Sequence, residues 1–271
     1  GVVVPTILYV APTVWAWRPE RAPALRPLFD EVLAILPFEP AAMAGLDGPP
    51  THFVGHPAVA RFPGRPAQPE RGPLLLLPGS RRGELRRHLP LTRAAVQQFR
   101  DHPRVTGFAI PTLEHLLPSL RREVAHWPAP VTLVTGEERR SAWDAAIAAF
   151  AVSGTVTLEL AMTGIPMVVA YVADPHQARQ YDKLGRKVTL ALPSIIRGSN
   201  VVPELQLRSS AGPFDLSALS ALLDDPAAIP AQLAAFAEVR ALMQKGAPEA
   251  PLADVVDRVL AHAPQRLLIG S

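Results

Sequence analysis

The pattern of apolar and polar positions along this chain changes period repeatedly. Short, mostly apolar runs at Leu74–Leu77, Val105–Ile110, Val131–Val134, Ala148–Val152 and Met167–Tyr171 are separated by longer stretches with helical spacing. Strands with apolar residues on both faces predict a parallel sheet covered on both sides, and regular strand–helix alternation predicts the α/β class. Leu91, Ala95 and Phe99 recur four apart after Pro90, which gives the helix behind the first of these strands one apolar stripe. Before this region lie three more strand candidates, Thr6–Val10, Val32–Leu36 and His52–Val54. A helix opening at Pro19 is expected between the first two, because proline is favoured in a first turn. The last third reads as helices: one capped by Asp215 and running to Leu223, one from Pro230 to Gln244, and one from Pro251 to His262.

Between Gly55 and Pro73 the stretch "GHPAVARFPGRPAQPERGP" is rich in Pro, Gly and Arg and has no periodicity. It reads as an interdomain linker. The expected organisation is therefore residues 1–55 as the end of one Rossmann-like domain, 56–72 as linker, and 73–271 as a second Rossmann-like domain with C-terminal helices. The chain is also expected to continue upstream of Gly1, because it enters directly on a strand-like run.

Composition narrows the functions. The 271 residues are 48% hydrophobic and 19% charged, as in folded globular domains, and the 31 prolines sit largely at element ends. With no cysteine, disulfides and thiolate metal sites are excluded, and a reducing compartment is suitable. No uninterrupted apolar run reaches the roughly 18 residues of a membrane-spanning helix. A net charge of +3, mostly from arginine, suits phosphate ligands or an anionic membrane surface and is too dilute for a nucleic-acid protein.

Two loops at expected strand ends carry anion chemistry. In "LLLLPGSRRGEL", Gly79 permits close backbone approach, Ser80 offers a hydroxyl and Arg81 can fork two hydrogen bonds onto phosphate oxygens. In "AVSGTVTLELAMTG", a strand ends at Ser153, Gly154 and Thr155, and a helix runs on to a cap at Gly164. Its free N–H groups and dipole favour an anion, and Glu159 one turn further in could accept from the hydroxyls of a ribose. Taken singly, each has a plain alternative: a turn with a solvated arginine, and an exposed helical glutamate. Neither loop is a Walker loop or a Gly-x-Gly-x-x-Gly fingerprint, and no Gly-x-Ser-x-Gly elbow is present. A third feature, "YVAPTVWAWRPERA", places Trp15, Trp17 and Arg18 after a strand end, as packed core or as a stacking or lipid-facing rim. The histidines form no i, i+4 zinc pair; His56, in "VGHP", stands at the expected domain junction.

In order, "YVAPTVWAWRPERA", "LAILPFEP", "FVGHP", "LLLLPGSRRGEL" and "SGTVTLELAMTGIPMVVAY" resemble the successive signature segments of the lipid-A-disaccharide synthases, from about Ile7 to Tyr171. The resemblance implies a GT-B-like architecture of two Rossmann-like halves facing a cleft, only partly represented in the first half. It implies transfer of a diacylglucosamine from UDP-2,3-diacylglucosamine to diacylglucosamine 1-phosphate (lipid X), giving the β-1,6 lipid A disaccharide and UDP. It further implies no cofactor or metal, no nucleic-acid partner, and a cytoplasmic protein peripheral on the inner membrane; an oligomer is possible.

By position, Gly79, Ser80, Arg81 and Ser153–Thr155 would hold the diphosphate and Glu159 the ribose. Trp15, Trp17, Arg18, His56 and Glu204 would lie toward the acceptor or cleft rim, and the general base is expected upstream of Gly1. In "LPSIIRGSNVVPEL" the chain departs from the family, with Ser194 for the common asparagine and Ser199 for the common arginine, while Pro203 and Glu204 match. The rival readings are another GT-B UDP-sugar enzyme, such as an N-acetylglucosaminyltransferase or a UDP-sugar 2-epimerase, and a non-catalytic UDP-sugar-binding protein.

Overall fold

A computed structural model describes residues 5–174, 189–249 and 251–262, the side chains of 251–253 excepted. The chain divides into two compact units, Gly1–Arg61 with Arg240–Ser271, and Phe62–Val239. This differs from the boundaries expected from composition. Residues 56–72 do not form a free linker: Pro57–Arg61 is helical and belongs to the first unit, and the chain from Phe62 belongs to the second. The last helix belongs to the first unit rather than to the domain that precedes it in sequence.

The first unit holds a parallel three-stranded sheet, β1 (Ile7–Tyr9), β2 (Glu31–Ala34) and β3 (Thr51–Phe53), in that order. β2 is buried along its whole length. Helices α1 (Glu39–Gly45) and α2 (Pro57–Arg61) follow β2 and β3. The helix expected from Pro19 is two single 3-10 turns, Pro19–Arg21 and Pro23–Leu25. Prolines at 19, 23 and 27 recur every four residues, and each lacks the N–H that an α-helix needs for its i→i−4 bond. The buried carboxylate of Glu31 accepts from His262 Nε2 at 2.6 Å and lies 2.7 Å from His52 Nδ1, tying the C-terminal helix to β2.

The second unit is a six-stranded, all-parallel sheet. Its strands are β4 (Gly72–Leu77), β5 (Val105–Pro111), β6 (Val131–Val134), β7 (Ala148–Val152), β8 (Met167–Val172) and β9 (Glu204–Leu207). Their spatial order is β6-β5-β4-β7-β8-β9, so the direction of winding reverses between β4 and β7. Every leucine from Leu74 to Leu77 is buried, as expected of a central strand covered on both faces. Burying each such side chain contributes about 1.5–3 kcal/mol.

The connecting helices are α3 (Arg82–Phe99), α4 (Leu117–Val124), α5 (Glu138–Ala145) and α6 (Val156–Thr163). After β8 come α7 (Leu192–Arg197), α8 (Ser217–Asp224), α9 (Ala228–Gln244) and α10 (Pro251–Ala261). α3 begins well before Pro90, and its stripe of Leu85, Leu91, Ala95 and Phe99 joins one core with Leu74, Leu76 and Phe150. β9 is an edge strand that the apolar pattern does not reveal, since its residues are half-buried and two of them, Glu204 and Gln206, are polar.

One half-buried cation fixes the far ends of two helices in this unit. Arg65 Nε donates to the carbonyl of Gly164, which ends α6, and Nη1 donates to Ala146 O, which ends α5, at 3.0 and 2.5 Å. Gln68 accepts from Nη2 and itself donates to Ile147 O at 2.9 Å. A guanidinium at helix C-termini both satisfies orphan carbonyls and meets the negative dipole end. Burial lowers its pKa to about 10, with the charge of Asp144 working the other way. Arg65→Met should therefore destabilise the protein by about 2–4 kcal/mol through the loss of charge-assisted bonds, read as a lower urea midpoint at unchanged m-value.

Candidate functional site: an anion cradle at the sheet's switch point

The C-terminal ends of β4 and β7 lie side by side. Their parallel register pairs Leu75 with Ala149, Leu76 with Phe150 and Leu77 with Ala151. Continued past the strands, that register sets Gly79-Ser80-Arg81 against Ser153-Gly154-Thr155. The crevice where winding reverses is where open α/β sheets take their ligands. A cavity of about 470 Å³ opens here, and Gly79, Ser80, Arg81, Ser153, Gly154, Thr155 and Glu159 all line it. The seven residues expected at the diphosphate and ribose thus meet in one place.

Two cavity-lining charges escaped the sequence reading, Glu84 from α3 and Arg139 from α5. Glu84 Oε2 accepts from the amides of Ser80 and Arg81 at 3.1 and 3.2 Å, and Oε1 accepts from Arg81 Nη1 at 2.8 Å. Three donors from the "PGSR" loop therefore converge on one anionic group. Gly79 makes room for it: its φ is +103°, and a Cβ there would stand 2.7 Å from both Cβ and Oε2 of Glu84. Burial works against the Glu84 charge, but the bonds from Arg81 and the two amides outweigh it and hold the carboxyl below its ordinary range. The Arg139 guanidinium lies over the Trp143 ring, 5.8 Å from its centroid.

The opposite wall is the start of α6. Thr155 is its N-cap and makes no side-chain cap bond, so the first amides of this helix have no side-chain acceptor of their own. Segment 190–192 braces the turn. Ser153 Oγ donates to Leu190 O at 2.9 Å, Thr157 Oγ1 donates to Gly154 O at 2.8 Å, and Leu192 N donates to Thr157 Oγ1 at 3.3 Å.

None of the five residues assigned to the acceptor or rim lines this cavity. Glu204 accepts from the amides of Leu190 and Ala191 at 3.0 and 2.9 Å, and so holds the segment that braces α6. Ser194, one of the departures in that loop, is buried and its Oγ accepts from Val201 N and Val202 N at 3.1 and 3.2 Å.

The other four lie in the first unit. Trp15 Nε1 donates to the buried Glu39 carboxylate at 3.2 Å, and its ring meets Phe38 edge-on at 4.8 Å. Burial raises the Glu39 pKa, against the bonds from Leu36 N and Trp15. Trp17 and Arg18 are exposed, Arg18 with φ +58°. His56 Nδ1 accepts from Ala58 N at 2.9 Å at the start of α2, and burial lowers its pKa.

A Rossmann-type sheet with its cradle at the reversal point gives this chain the fold of the GT-B glycosyltransferases. The fold resemblance extends to the solved GtfA/B complex at TM-score 0.52, 14% identity, 92% of this chain and 48% of that one. The lipid-A-disaccharide synthetase family model matches residues 1–250, and the chain belongs to that family. The lipid-A-disaccharide synthase of Rhodopseudomonas palustris is 39% identical over 270 residues, covering 96% of this chain and 68% of the relative. That of Bradyrhizobium diazoefficiens is 39% identical over 265 residues, covering 93% and 67%.

The first turn of α3 is pinned to β8 by one buried imidazole. His88 Nε2 accepts from Val172 N at 2.9 Å, so the proton sits on Nδ1, which donates to Glu84 O at 2.8 Å. Burial pushes the His88 pKa below its usual value, helped by the Arg87 charge, while the Glu84 carbonyl and carboxylate push upward. The unfolded chain, with a histidine pKa of about 6.5, then binds the proton first. This stability is complete above that value and is lost as the pH falls through the folded pKa. Urea midpoints from pH 7.5 to 5 should fall for the parent and fall less steeply for His88→Leu.

Proposed function

We propose that this cavity holds the UDP of a lipid-linked sugar donor. On this reading the chain supplies the leaving-group side of a transfer from UDP-2,3-diacylglucosamine to the 6-hydroxyl of diacylglucosamine 1-phosphate. The bond from the donor sugar's C1 to the diphosphate oxygen breaks and UDP departs with the electron pair, while the acceptor's 6-hydroxyl oxygen bonds to C1 and gives its proton to a general base that none of the residues assigned here supplies. Arg81, the Ser80 amide and the first amides of α6 meet the charge that builds on the diphosphate, as preorganised donors do in oxyanion sites. Glu159 accepts from the ribose hydroxyls, and Arg139 adds a second positive charge to the wall.

The observation that carries this reading is the carboxylate of Glu84, held by the Ser80 and Arg81 amides and the Arg81 guanidinium at 2.8–3.2 Å. Three donors that already gather one anion in a crevice at the switch point are suited to a phosphate. Family membership supports a lipid-linked sugar as the donor.

No helix among the described residues is long and apolar enough to cross a membrane. Access to acylated substrates is therefore proposed to come from peripheral association with the cytoplasmic face of the inner membrane. Trp17 and Arg18, both exposed, are candidates for that contact.

Two measurements test the reading. Arg81→Ala should weaken UDP binding by on the order of 10–100-fold, the worth of a charge-assisted pair of hydrogen bonds; calorimetry giving equal affinities would remove Arg81 from the site. In turnover assays of the complete enzyme, UDP-2,3-diacylglucosamine should be consumed with the acylated acceptor and UDP-N-acetylglucosamine should not. Equal use of both donors would point to a non-lipid glycosyltransferase instead.

A further inference from the structure

The charges lining the cavity, among the described residues, are Arg81, Arg139, Glu84 and Glu159, so the formal charges cancel. A pocket meant for a diphosphate gains nothing from net charge while both carboxylates stay in it. Glu159 sits within the first turn of α6 and is assigned to the ribose. Glu84 instead occupies donors that a phosphate oxygen would use: two amides and the Arg81 guanidinium. The two helix starts also differ. α6 has no side-chain cap bond, whereas in the loop ahead of α3 the Ser80 and Arg81 amides are taken by Glu84 Oε2. One phosphate can settle on α6 without displacing a capping side chain, but a second reaches the "PGSR" loop only in competition with Glu84.

Building on the UDP reading above, we propose that Glu84 is the exchange partner of the leaving diphosphate. Its carboxylate holds Arg81 and the Ser80 and Arg81 amides when no phosphate does, yields them to the outer phosphate of a nucleoside diphosphate, and takes them back as that diphosphate departs. The exchange replaces one anionic oxygen acceptor by another, carboxylate by phosphate, so no donor is left bare at either end. The Arg81 side chain is 85% exposed, which leaves it free to follow a ligand, and Glu84, 22% exposed, lines the cavity that the ligand would enter. The left-handed Gly79 backbone keeps clear the space into which the carboxylate folds. Glu84 acts on the leaving group through Arg81 and the loop amides, as a positioning residue that also sets how firmly UDP is kept.

The experiment compares UDP and UMP binding to the parent and to Glu84→Gln by calorimetry. Glutamine keeps an oxygen for the loop amides and loses the competing charge. Glu84→Gln should bind UDP roughly tenfold more tightly, while UMP, with one phosphate, changes by less than about threefold. Unchanged or weaker UDP binding by a folded Glu84→Gln would overturn the exchange and leave Glu84 with the support of Arg81 alone. A second readout needs no variant: the Glu84 carboxyl, titrated by carbon-13 NMR, should rise in pKa when UDP saturates the protein, because its donors have gone to the ligand. A pKa unmoved by bound UDP would also overturn the proposal. UDP binding that is absent, or indifferent to Arg81→Ala, would instead bring down the site reading and this inference with it.

Discussion

The ladder between β4 and β7 is the constraint on which the site depends. These strands are not consecutive in the chain, yet they are hydrogen-bonded neighbours in the sheet. Their pairing is the point at which winding reverses, so helices α3 and α6 leave the two strand ends without a crossover covering the gap. The Leu77–Ala151 pairing carries Gly79-Ser80-Arg81 and Ser153-Gly154-Thr155 to the same level. A slip of one residue in this ladder would move the guanidinium loop past the helix start and turn each strand's side chains to the opposite face. Leu74–Leu77 and Ala148–Val152 are buried throughout, and that burial makes such a slip costly.

The cradle is also held from behind. α5 and α6 send their N-terminal ends toward the cavity, through Arg139 and Thr155, and their C-terminal ends meet on Arg65. A charge at the C-terminal dipole end strengthens each helix without entering the ligand crevice. Glu204 performs the matching task on the other side by holding Leu190 and Ala191, whose neighbours brace Ser153 and Thr157. Placing the most strongly engaged polar side chains behind the site is how a loop-built pocket acquires the rigidity that binding an anion requires.

The strands were legible because their runs are short, apolar on both faces and bounded by turn-forming residues; Val131–Val134 and Ala148–Val152 have the limits read from sequence. Six of the seven cavity residues were legible because they sit at strand ends, where small residues and an arginine break the apolar pattern, and Glu159 because it follows one turn into the helix that starts there. Glu84 and Arg139 were not, because in "RRGEL" and "EERRS" they look like solvated helical charges. A capping-box signature would have exposed Glu84, but its N-cap partner is Arg81 in place of Ser, Thr, Asp or Asn. The Pro19 helix failed because N-terminal prolines, each favourable alone, recur too often to leave donors for a second turn. Trp15 resolved toward packing, since its indole N–H is bound to Glu39. The C-terminal helix was assigned to the wrong neighbour because its docking rests on long-range pairs such as His262–Glu31, which no local pattern encodes.

A charge-balanced cradle suits a transferase that must let go of a diphosphate. An enzyme gains rate only from interactions stronger in the transition state than in its bound states. On the proposed reading, two unopposed arginines beside an uncapped helix start would hold a fully charged UDP product most tightly, which slows release and adds nothing to the chemical step. With Glu84 seated on Arg81, the donors are already satisfied and already aimed, so aligning them costs little as charge develops. The carboxylate then weakens the grip on the finished product by the amount of its own competing bonds. On the proposed reading, preorganisation and release have the same structural origin in the turn from Gly79 to Glu84.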